Sequence, residues 1–427
     1  MKNISEPVRA YRCEPATPAA SDAGQGDKPA RALPDRPSIA VLPFANMSGD
    51  PEQEYFSDGM TEDLITDLSK VSGLFVIARN SSFAYKGKAV KVQDIGGELG
   101  VRFVLEGSVR KAGDRVRITA QLVDAANGGH IWADRFDRDL TDIFATQDEV
   151  VRKIVDVLAV KLTQGDEQRL RRRGTNNLEA YDIWVRTRGL LGRGTREDIA
   201  QARAMHRRAI AIDPNFAAPH AGLAIAAMTD YVNGWTADPA QALDEAERWA
   251  RRAVELNEQD PAGHLALGGT LMWRHEHDAA LAEHRRSIEL DPNYAQGYAG
   301  VSMTLVYAGR ASEALEPLAT AMRLDPHHSN FLLHVSALAH FGIGRYETAV
   351  DALLKRIALN PNTDASRMLL AACYGHLGRV DEARAAWAEL LRVNPGFSLA
   401  QRARVLPFRD AADFQRITDG LAKAGLG

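Results

Sequence analysis

The sequence PAGHLALGGTLMWRHEHDAALAEHRRSIELDP, at residues 261–292, carries the pattern that decides most of the fold. Its small or apolar residues precede a proline, and they are Leu267, Gly268, Leu271, Ala280 and then Pro292. Small side chains allow two helices to approach closely, and proline, which lacks a backbone N–H, ends the second helix. The stretch therefore predicts a pair of closely packed helices.

The same pattern returns along the chain at a fixed interval. In residues 364–395 the equivalent positions hold Leu370, Ala371, Tyr374, Ala383, Trp387 and Pro395. The turn phrases place their Asp or Asn at Asp213, Asn257, Asp291, Asp325, Asn360 and Asn394, so the spacing is 44, 34, 34, 35 and 34 residues. A period of about 34 residues is typical of tetratricopeptide repeats. We predict an all-α solenoid of six such repeats over residues 178–396.

The array departs from its period at both ends. The second repeat carries about ten extra residues near positions 231–239, and we expect a protruding loop there. After the last repeat, residues 397–427 place Phe414, Ile417 and Leu421 at helical spacing. Terminal repeats need a polar outer cover, so this segment is predicted to be a carboxy-terminal capping helix.

Residues 38–163 have a different pattern, in which strands and helices alternate. The run SIAVLPF at residues 38–44 predicts a buried strand, and the amphipathic segment that follows predicts a helix ending near Gly73. Turn signals at residues 112–114 and 127–129 separate β-branched runs and predict two consecutive hairpins. A final helix is expected over residues 143–162. The fold class is therefore an α/β or α+β domain followed by the helical solenoid.

Two connecting segments flank this domain. Residues 13–37 are rich in proline, alanine and glycine and predict a flexible linker. Residues 164–177 form a connecting segment that contains QRLRRRG at positions 168–174. A solvated helix is the favoured interpretation of this basic run, ahead of a surface for an acidic partner and of a DNA contact.

Composition excludes several classes of function. The formal net charge of −4, from 52 basic and 56 acidic residues, disfavours a generic binder of nucleic acid or anionic lipid. Cys13 and Cys373 are far apart and belong to no metal-binding array, which fits a reducing compartment. No apolar run suits a signal peptide or a membrane span. We expect a cytoplasmic location.

The sequence of residues 34–163 resembles the TolB-like amino-terminal domain of bacterial regulatory proteins, which is often joined to tetratricopeptide repeats. The phrases that carry the resemblance include PDRPSIAVLPFANMSGDPEQEYFSDGMTEDLITDLS, LFVIARNSSFAYKG and LGVRFVLEGSVRKAGDRVRITAQLVDAANGGHIWADRFDR. In many members of this kind a class III adenylate/guanylate cyclase domain precedes the unit, and in others a winged-helix DNA-binding domain does. The resemblance thus implies a bacterial signalling protein.

The opening KNISEPVRAYR is similar to the last strand of such a cyclase domain, so residues 1–12 are interpreted as the end of one. The metal and substrate residues of that domain would lie before this segment. The resemblance therefore assigns no catalytic carboxylate to any position of this chain.

Other sites of chemistry find little support in the sequence. No phosphate-binding loop GxxxxGK[ST], no nucleophile elbow and no Cys/His pair of a thiol enzyme is present. His275, His277 and His284 could be tried as a zinc site, but packing and surface roles explain them better. Asp58, Glu62 and Asp63 are expected on the solvated face of a helix. We predict no catalytic residue, no metal and no cofactor.

The concave face of the solenoid is the better candidate site. The first helix of each repeat lines this face in tetratricopeptide arrays, and methionine and aromatic side chains adapt to varied polypeptide ligands. The inward positions select Met272, Trp273, Gln296, Met303, Val306, Tyr307, Met368 and His376. Packing between repeats is an equally good explanation for some of them.

The sequence predicts a non-catalytic regulatory or scaffold protein that binds a protein or peptide ligand in this groove, with no nucleic acid partner. The alternative is the carboxy-terminal regulatory half of an adenylate/guanylate cyclase, whose catalytic domain would then be a possible partner. A weaker third possibility is an envelope-associated role by analogy with the TolB-like domain.

Overall fold

The computed structural model describes residues 31–171, 174–193 and 195–426. The predicted cyclase remnant at residues 1–12 and the linker up to residue 30 lie outside the described residues. Within the described residues, a mixed sheet with helices comes first and paired helices follow. The predicted fold class is thereby confirmed.

The first part is built on six strands. They are β1 Ser38–Val41, β2 Ala45–Asn46, β3 Phe75–Val76, β4 Phe103–Ala112, β5 Arg115–Asp124 and β6 Gly129–Asp139. The order in the sheet is β3-β1-β4-β5-β6, and β2 pairs with β4. Strand β1 is parallel to β3 and β4, whereas β4, β5 and β6 form the two antiparallel hairpins that the turn signals predicted. All four residues of β1 are buried, as its apolar run requires.

Helices cover both faces of this sheet. They are α1 Glu54–Ser69, α2 Arg79–Phe83, α3 Val92–Leu99, α4 Ile143–Val157 and α5 Gln164–Arg171. Helices α1 and α4 bury Leu64, Leu68, Val150 and Ile154 against one face. Helix α3 packs on the other face, in a core that also includes Leu324 from the second part of the chain. The two parts therefore share a core.

Some elements of the sheet domain differ from the sequence prediction. The strand expected around residues 74–79 is ordered as β3 for two residues only, because the chain turns into α2 directly after it. The helix expected to reach residue 162 ends at Val157, and Ala159 adopts a left-handed φ of 52° that a helix cannot continue through. Strand β2 and helix α2 had no clear signal, since both are very short.

The described part of the solenoid contains six helix pairs. The pairs are α6 Leu178–Arg193 with α7 Arg196–Ile212, α8 Ala217–Asn233 with α9 Pro239–Leu256, α10 Pro261–Trp273 with α11 His277–Leu290, α12 Ala295–Tyr307 with α13 Leu315–Leu324, α14 Asn330–Gly342 with α15 Tyr346–Leu359, and α16 Asp364–His376 with α17 Val380–Val393. In the second pair α8 runs to Asn233, and left-handed Gly234 then ends it before a short loop. The extra residues therefore lengthen a helix as well as a loop.

Small residues decide how closely neighbouring helices approach. His284 of α11 lies against Gly268 of α10 and Gly300 of α12, where an added Cβ would overlap its ring. His206 of α7 meets Gly222 of α8 in the same way. The missing side chains make room for a buried imidazole between helices, which explains the glycines in these positions.

The chain ends in two further helices, α18 Leu399–Val405 and α19 Ala411–Lys423. Helix α19 packs against α16, the first helix of the last repeat, and buries Ile417 and Leu421. Across residues 31–171, 174–193 and 195–426, the structure contains no helix with the length and apolar character needed to cross a membrane.

Candidate functional site

A row of aromatic side chains follows the ends of the first helices of successive repeats. Tyr231 lies near the end of α8, Trp273 ends α10, Tyr307 ends α12 and Phe341 lies near the end of α14. The ring centroids of Tyr231 and Trp273 are 6.0 Å apart, and those of Trp273 and Tyr307 are 5.9 Å apart. Because Trp273, Tyr307 and Phe341 are separated by the repeat period, the row is a direct consequence of the repeat.

The carboxy-terminal segment of the same chain lies on this row. The ring of Phe408 packs edge-on against Tyr307 at 4.9 Å, and Phe414 follows Phe408 at 6.3 Å. The backbone N–H of Arg409 donates to the carbonyl of Tyr307 at 2.8 Å. The aromatic row therefore already contacts a polypeptide segment through rings and through backbone.

The position that follows Phe341 in the row is occupied by a glycine, Gly375, against which α19 packs. One repeat after Phe341 stands Gly375, and the backbone of Gly420 in α19 lies so close to it that a Cβ on either residue would overlap the other helix. Ile417 and Leu421 are almost fully buried beside this crossing. The ring Nε2 of His376 donates to the carbonyl of Arg416 at 2.8 Å. Helix α19 is thus held by close backbone packing and apolar burial.

The segment between α17 and α19 is held differently, and we name residues 398–410 the strap. Arg402 of the strap donates to Asp364 Oδ2 at 2.9 Å and to the carbonyl of Val232 at 3.4 Å. Arg409 donates to Asp278 Oδ1 at 3.1 Å. Together with the contacts to Tyr307, these bonds connect the strap to four different repeats.

A histidine of the solenoid also bonds to the strap, near its carboxy-terminal end. The His277 ring Nε2 donates to the Pro407 carbonyl at 2.6 Å, so this histidine at the start of α11 is used by the strap. In the same part of the solenoid, Arg356 donates to His334 Nδ1 at 2.9 Å and to Ser366 Oγ at 2.6 Å. Burial lowers the pKa of Arg356 to about 10 and also lowers the pKa of His334.

The eight residues predicted to line the groove have unequal positions. Trp273 and Tyr307 belong to the aromatic row, and His376 stacks on Tyr346 with ring centroids 4.4 Å apart. Gln296 is exposed near the start of α12. Trp273 and Tyr307 are also buried, as are the remaining four, which are Met272, Met303, Val306 and Met368. Their role in ligand binding stays a prediction, and their burial agrees with the packing explanation.

The sheet domain docks on another surface of the solenoid, which we name the domain interface and define by residues 291–293 and 323–327 with α6. Asn293 is central to it: its side-chain amide donates to the carbonyls of Ser69 and Leu74 at 2.8 and 3.2 Å. The Val76 N–H donates back to Asn293 Oδ1 at 3.2 Å. Ser69 Oγ donates to Asp291 Oδ2 at 2.6 Å, and burial raises the pKa of Asp291 to about 6.

The next repeat makes an equivalent contact. Ser81 Oγ and Asn80 Nδ2 both donate to Asp325 Oδ1, at 2.5 and 3.0 Å. Arg323 donates to the carbonyls of Leu99 and Gly100 at 3.1 and 2.7 Å. The Asp of these inter-repeat turns is visible in the sequence, but the sequence does not show which segment it contacts.

Ion pairs complete the domain interface at α6. Arg188 lies 3.1 Å from Glu62 and 2.9 Å from Asp63, and the Tyr181 hydroxyl also donates to Asp63. The prediction that Glu62 and Asp63 lie on a solvated face was wrong, because α6 covers that face of α1. Asp58 pairs with Lys86 at 2.6 Å.

His284 and His277 have different surroundings, although the rings of His275 and His277 are 6.1 Å apart. His284 is buried between glycines, and burial lowers its pKa to about 4, whereas His277 bonds to the strap. Within the part of the chain that the structure describes, no three His, Cys, Asp or Glu side chains are grouped as metal ligands would be.

Comparisons with known proteins cover both parts of the chain. A family model described as "HilA/YgeH-like transcriptional regulator, second domain" matches residues 35–154, and one described as "Anaphase-promoting complex, cyclosome, subunit 3" matches residues 309–390. The TolB-like resemblance of the first domain therefore stays a prediction. "Putative adenylate cyclase 3" from Rhizobium meliloti (strain 1021) is 51% identical over 280 residues, which are 66% of this chain and 48% of the relative. The chain thus spans about half the length of the curated relative that it matches.

Solved structures resemble parts of the chain at low superposition scores. A tetratricopeptide protein of Thermus thermophilus is 25% identical, with a TM-score of 0.35 over 46% of this chain and 97% of that one. The Cut9–Hcn1 hetero-tetramer is 16% identical, with a TM-score of 0.43 over 66% of this chain and 50% of that one. YrrB, described as a tetratricopeptide protein "with an unusual peptide-binding site", is 21% identical, with a TM-score of 0.30 over 41% and 90%. The 34-residue repeats, the helix pairs and the sequence relative together show that the chain is a tetratricopeptide-repeat protein related to a putative adenylate cyclase.

Proposed function

We propose that this chain is a cytoplasmic regulatory scaffold that binds a polypeptide partner on the aromatic row and the acidic residues beside it. The observation that carries the proposal is that this surface already contacts a polypeptide, the strap of the same chain. Phe408 packs on Tyr307, and Arg402 and Arg409 pair with Asp364 and Asp278. A surface that accepts arginine, phenylalanine and backbone groups from its own chain has the chemistry to accept them from another.

The experiment selects ligands without assuming a partner. A random peptide library is displayed and selected on the intact chain and, in parallel, on the variant Arg402→Ala/Arg409→Ala, in which two contacts of the strap are removed. Selected peptides are then measured on that double variant with and without Asp278→Lys. Asp278 is 81% exposed, so its replacement leaves the core untouched.

We expect Asp278→Lys to weaken the selected peptides about tenfold, which corresponds to ~1.4 kcal/mol, because a favourable charge contact becomes a repulsive one. The matched control is Asp381→Lys, since Asp381 is the second residue of α17 as Asp278 is of α11, and it is also exposed. Peptides that bind both variants equally well would contradict the proposed site.

A second candidate function is the regulatory half of an adenylate/guanylate cyclase signalling protein. The identity of 51% to "Putative adenylate cyclase 3" over 280 residues supports it. In that case the partner of the scaffold includes a cyclase catalytic domain, present in the same polypeptide or in a separate one.

The two candidates differ in the mass of the endogenous protein. An antibody against the solenoid would recover it from cells, and mass spectrometry would give its intact mass. A species near 46.7 kDa favours a separate scaffold, whereas a species heavier by a catalytic domain, with cyclic nucleotide formed from ATP or GTP and Mn²⁺, favours the cyclase half. A heavier species without that activity would contradict the second candidate.

A further inference from the structure

The strap and the helix that follows it are attached to the solenoid with unequal strength. Helix α18, which forms the first half of the strap, has no buried residue. Helix α19, in contrast, buries Ile417 and Leu421 almost completely, and Ala424 directly after it is buried as well. Fully buried apolar side chains and close backbone packing hold α19. The strap is held by polar bonds and by apolar side chains that are only partly buried against the solenoid, namely Leu399, Val405, Leu406 and Phe408.

The two ends of the strap are fixed independently of its middle. Helix α17 ends at Val393 before the strap, and α19 begins at Ala411 directly after it. The strap can therefore leave the aromatic row while α17 and α19 stay docked. Local opening of this kind needs only the free energy of the strap contacts and not that of global unfolding.

The groups that hold the strap define the chemistry of a ligand. Asp364 and Asp278 are carboxylates that accept from arginine. Carbonyls of Val232 and Tyr307 accept further N–H groups, and the Tyr307 ring packs against an aromatic side chain. The site therefore fits a segment in which one arginine precedes an aromatic residue and a second arginine follows it, as in Arg402, Phe408 and Arg409.

We infer that the strap is an intramolecular ligand that closes the aromatic row, and that a partner opens it by presenting a segment with the same arginine and aromatic groups. This inference rests on the proposed function for the identity of the site and adds how access to it is regulated. Because the strap is tethered at both ends, its effective concentration at the site is of the order of mM, and a competitor must overcome it.

The experiment uses the strap itself as the probe. A fluorescein-labelled peptide with the sequence of residues 398–410 is titrated by anisotropy against the full chain and against a full chain whose strap is replaced by a Gly/Ser linker of equal length. We expect the peptide to bind the linker variant at least about tenfold more tightly than the unaltered chain. A peptide carrying Arg402→Ala and Arg409→Ala should lose most of this binding.

Folding of the linker variant is checked by hydrogen exchange of α19, where Ile417 and Leu421 should stay protected. If that variant does not fold, the chain with Arg402→Ala/Arg409→Ala replaces it, and tighter peptide binding than to the unaltered chain is again expected. Equal binding to opened and unaltered chains, or no binding to a folded opened chain, would overturn the inference.

The outcome separates this inference from the proposed function. If the peptide binds the opened chain but the displayed library yields no ligand sensitive to Asp278→Lys, the strap is an intramolecular ligand and the proposal of an external partner fails. If the library yields such ligands with equal affinity for opened and unaltered chains, the external site stands and the regulation by the strap fails.

Discussion

The domain interface and the strap are both contacts between the solenoid and another part of the same chain, yet they are built on different physical principles. At the domain interface, Asn293 bonds to buried backbone carbonyls, and Arg188 pairs with two mostly buried carboxylates. At the strap, Arg409 pairs with the exposed Asp278, no residue of α18 is fully buried, and Arg402 pairs with Asp364, which is 22% exposed. The first contact becomes unfavourable when one partner is missing, whereas the second can open and close in water.

This difference indicates which surface is permanent and which is available. A buried polar network is costly to break, because each group left behind loses its partner and gains no water. The exposed pair of Arg409 and Asp278 can exchange its partners for water at little cost. We therefore expect the sheet domain and the solenoid to act as one body, and the strap to be the mobile contact.

The largest effect is expected from Arg188→Ala at the domain interface. The substitution leaves Glu62 and Asp63 close together without their cation, and it should lower the free energy of unfolding by ~3–5 kcal/mol in urea titrations. Arg186→Ala is the control, because Arg186 is about half exposed in the same helix and pairs with Asp182. Its effect should be below ~1 kcal/mol. Equal losses would show that burial does not distinguish the two arginines.

Acidification should lower the stability of the solenoid core around His284. Burial lowers the pKa of His284 to about 4 from its ordinary 6.5, so the folded state keeps this ring neutral. The stability it contributes is fully present above pH 6.5 and is lost as the pH falls towards 4. The loss is about 3 kcal/mol for a shift of this size.

The substitution His284→Phe removes the titrating group and keeps an aromatic ring between Gly268 and Gly300. Urea titrations at several values between about pH 7.5 and 4.5 should show a shallower loss of stability than in the unaltered chain. His130→Phe serves as the control, since His130 is exposed on β6. An unchanged pH dependence in His284→Phe would mean that other groups cause the acid sensitivity.

A smaller effect on stability is expected from Asn293→Ala. The substitution removes the donors to the Ser69 and Leu74 carbonyls and the acceptor of the Val76 N–H, which should lower the free energy of unfolding by ~2 kcal/mol. Asn362→Ala is the matched control, because Asn362 has the same place in its Asn-Pro-Asn turn and is exposed. A loss as large in the control would assign the effect to the turn and not to the domain interface.

Periodicity made the solenoid predictable, whereas the role of the residues that it selects for the groove stays a prediction. The 34-residue spacing identified the helix pairs, and Trp273 and Tyr307 of the aromatic row were selected from it. The sequence does not show whether Met303 and Met368 are buried. The helical period indicates which residues share a helix face, but it does not indicate which neighbour covers that face.

The contacts between distant segments of the chain could not be predicted from the sequence. Asn293 bonds to Ser69 and Leu74, which are 224 and 219 positions away, and nothing in its turn phrase indicates a partner. The segment after residue 397 was predicted to be a capping helix from the spacing of its apolar residues. Its helix is present, but its contact with Gly375 depends on two glycines whose meeting only the fold determines.

The smallest effect is expected at the strap, and it should be local. Arg402→Ala removes the bonds to Asp364 and to the Val232 carbonyl, while Asp364 keeps the bond that Asn394 donates at 2.9 Å. Amides of residues 398–410 should therefore exchange hydrogen about fivefold faster, which corresponds to ~1 kcal/mol of local opening. The midpoint of global unfolding should not move, because α19 keeps its own buried contacts. Arg404→Ala is the control, since Arg404 is exposed in the same helix. If Arg402→Ala instead lowers global stability as much as Asn293→Ala does, the strap unfolds together with the domain interface, and the two contacts belong to one cooperative unit.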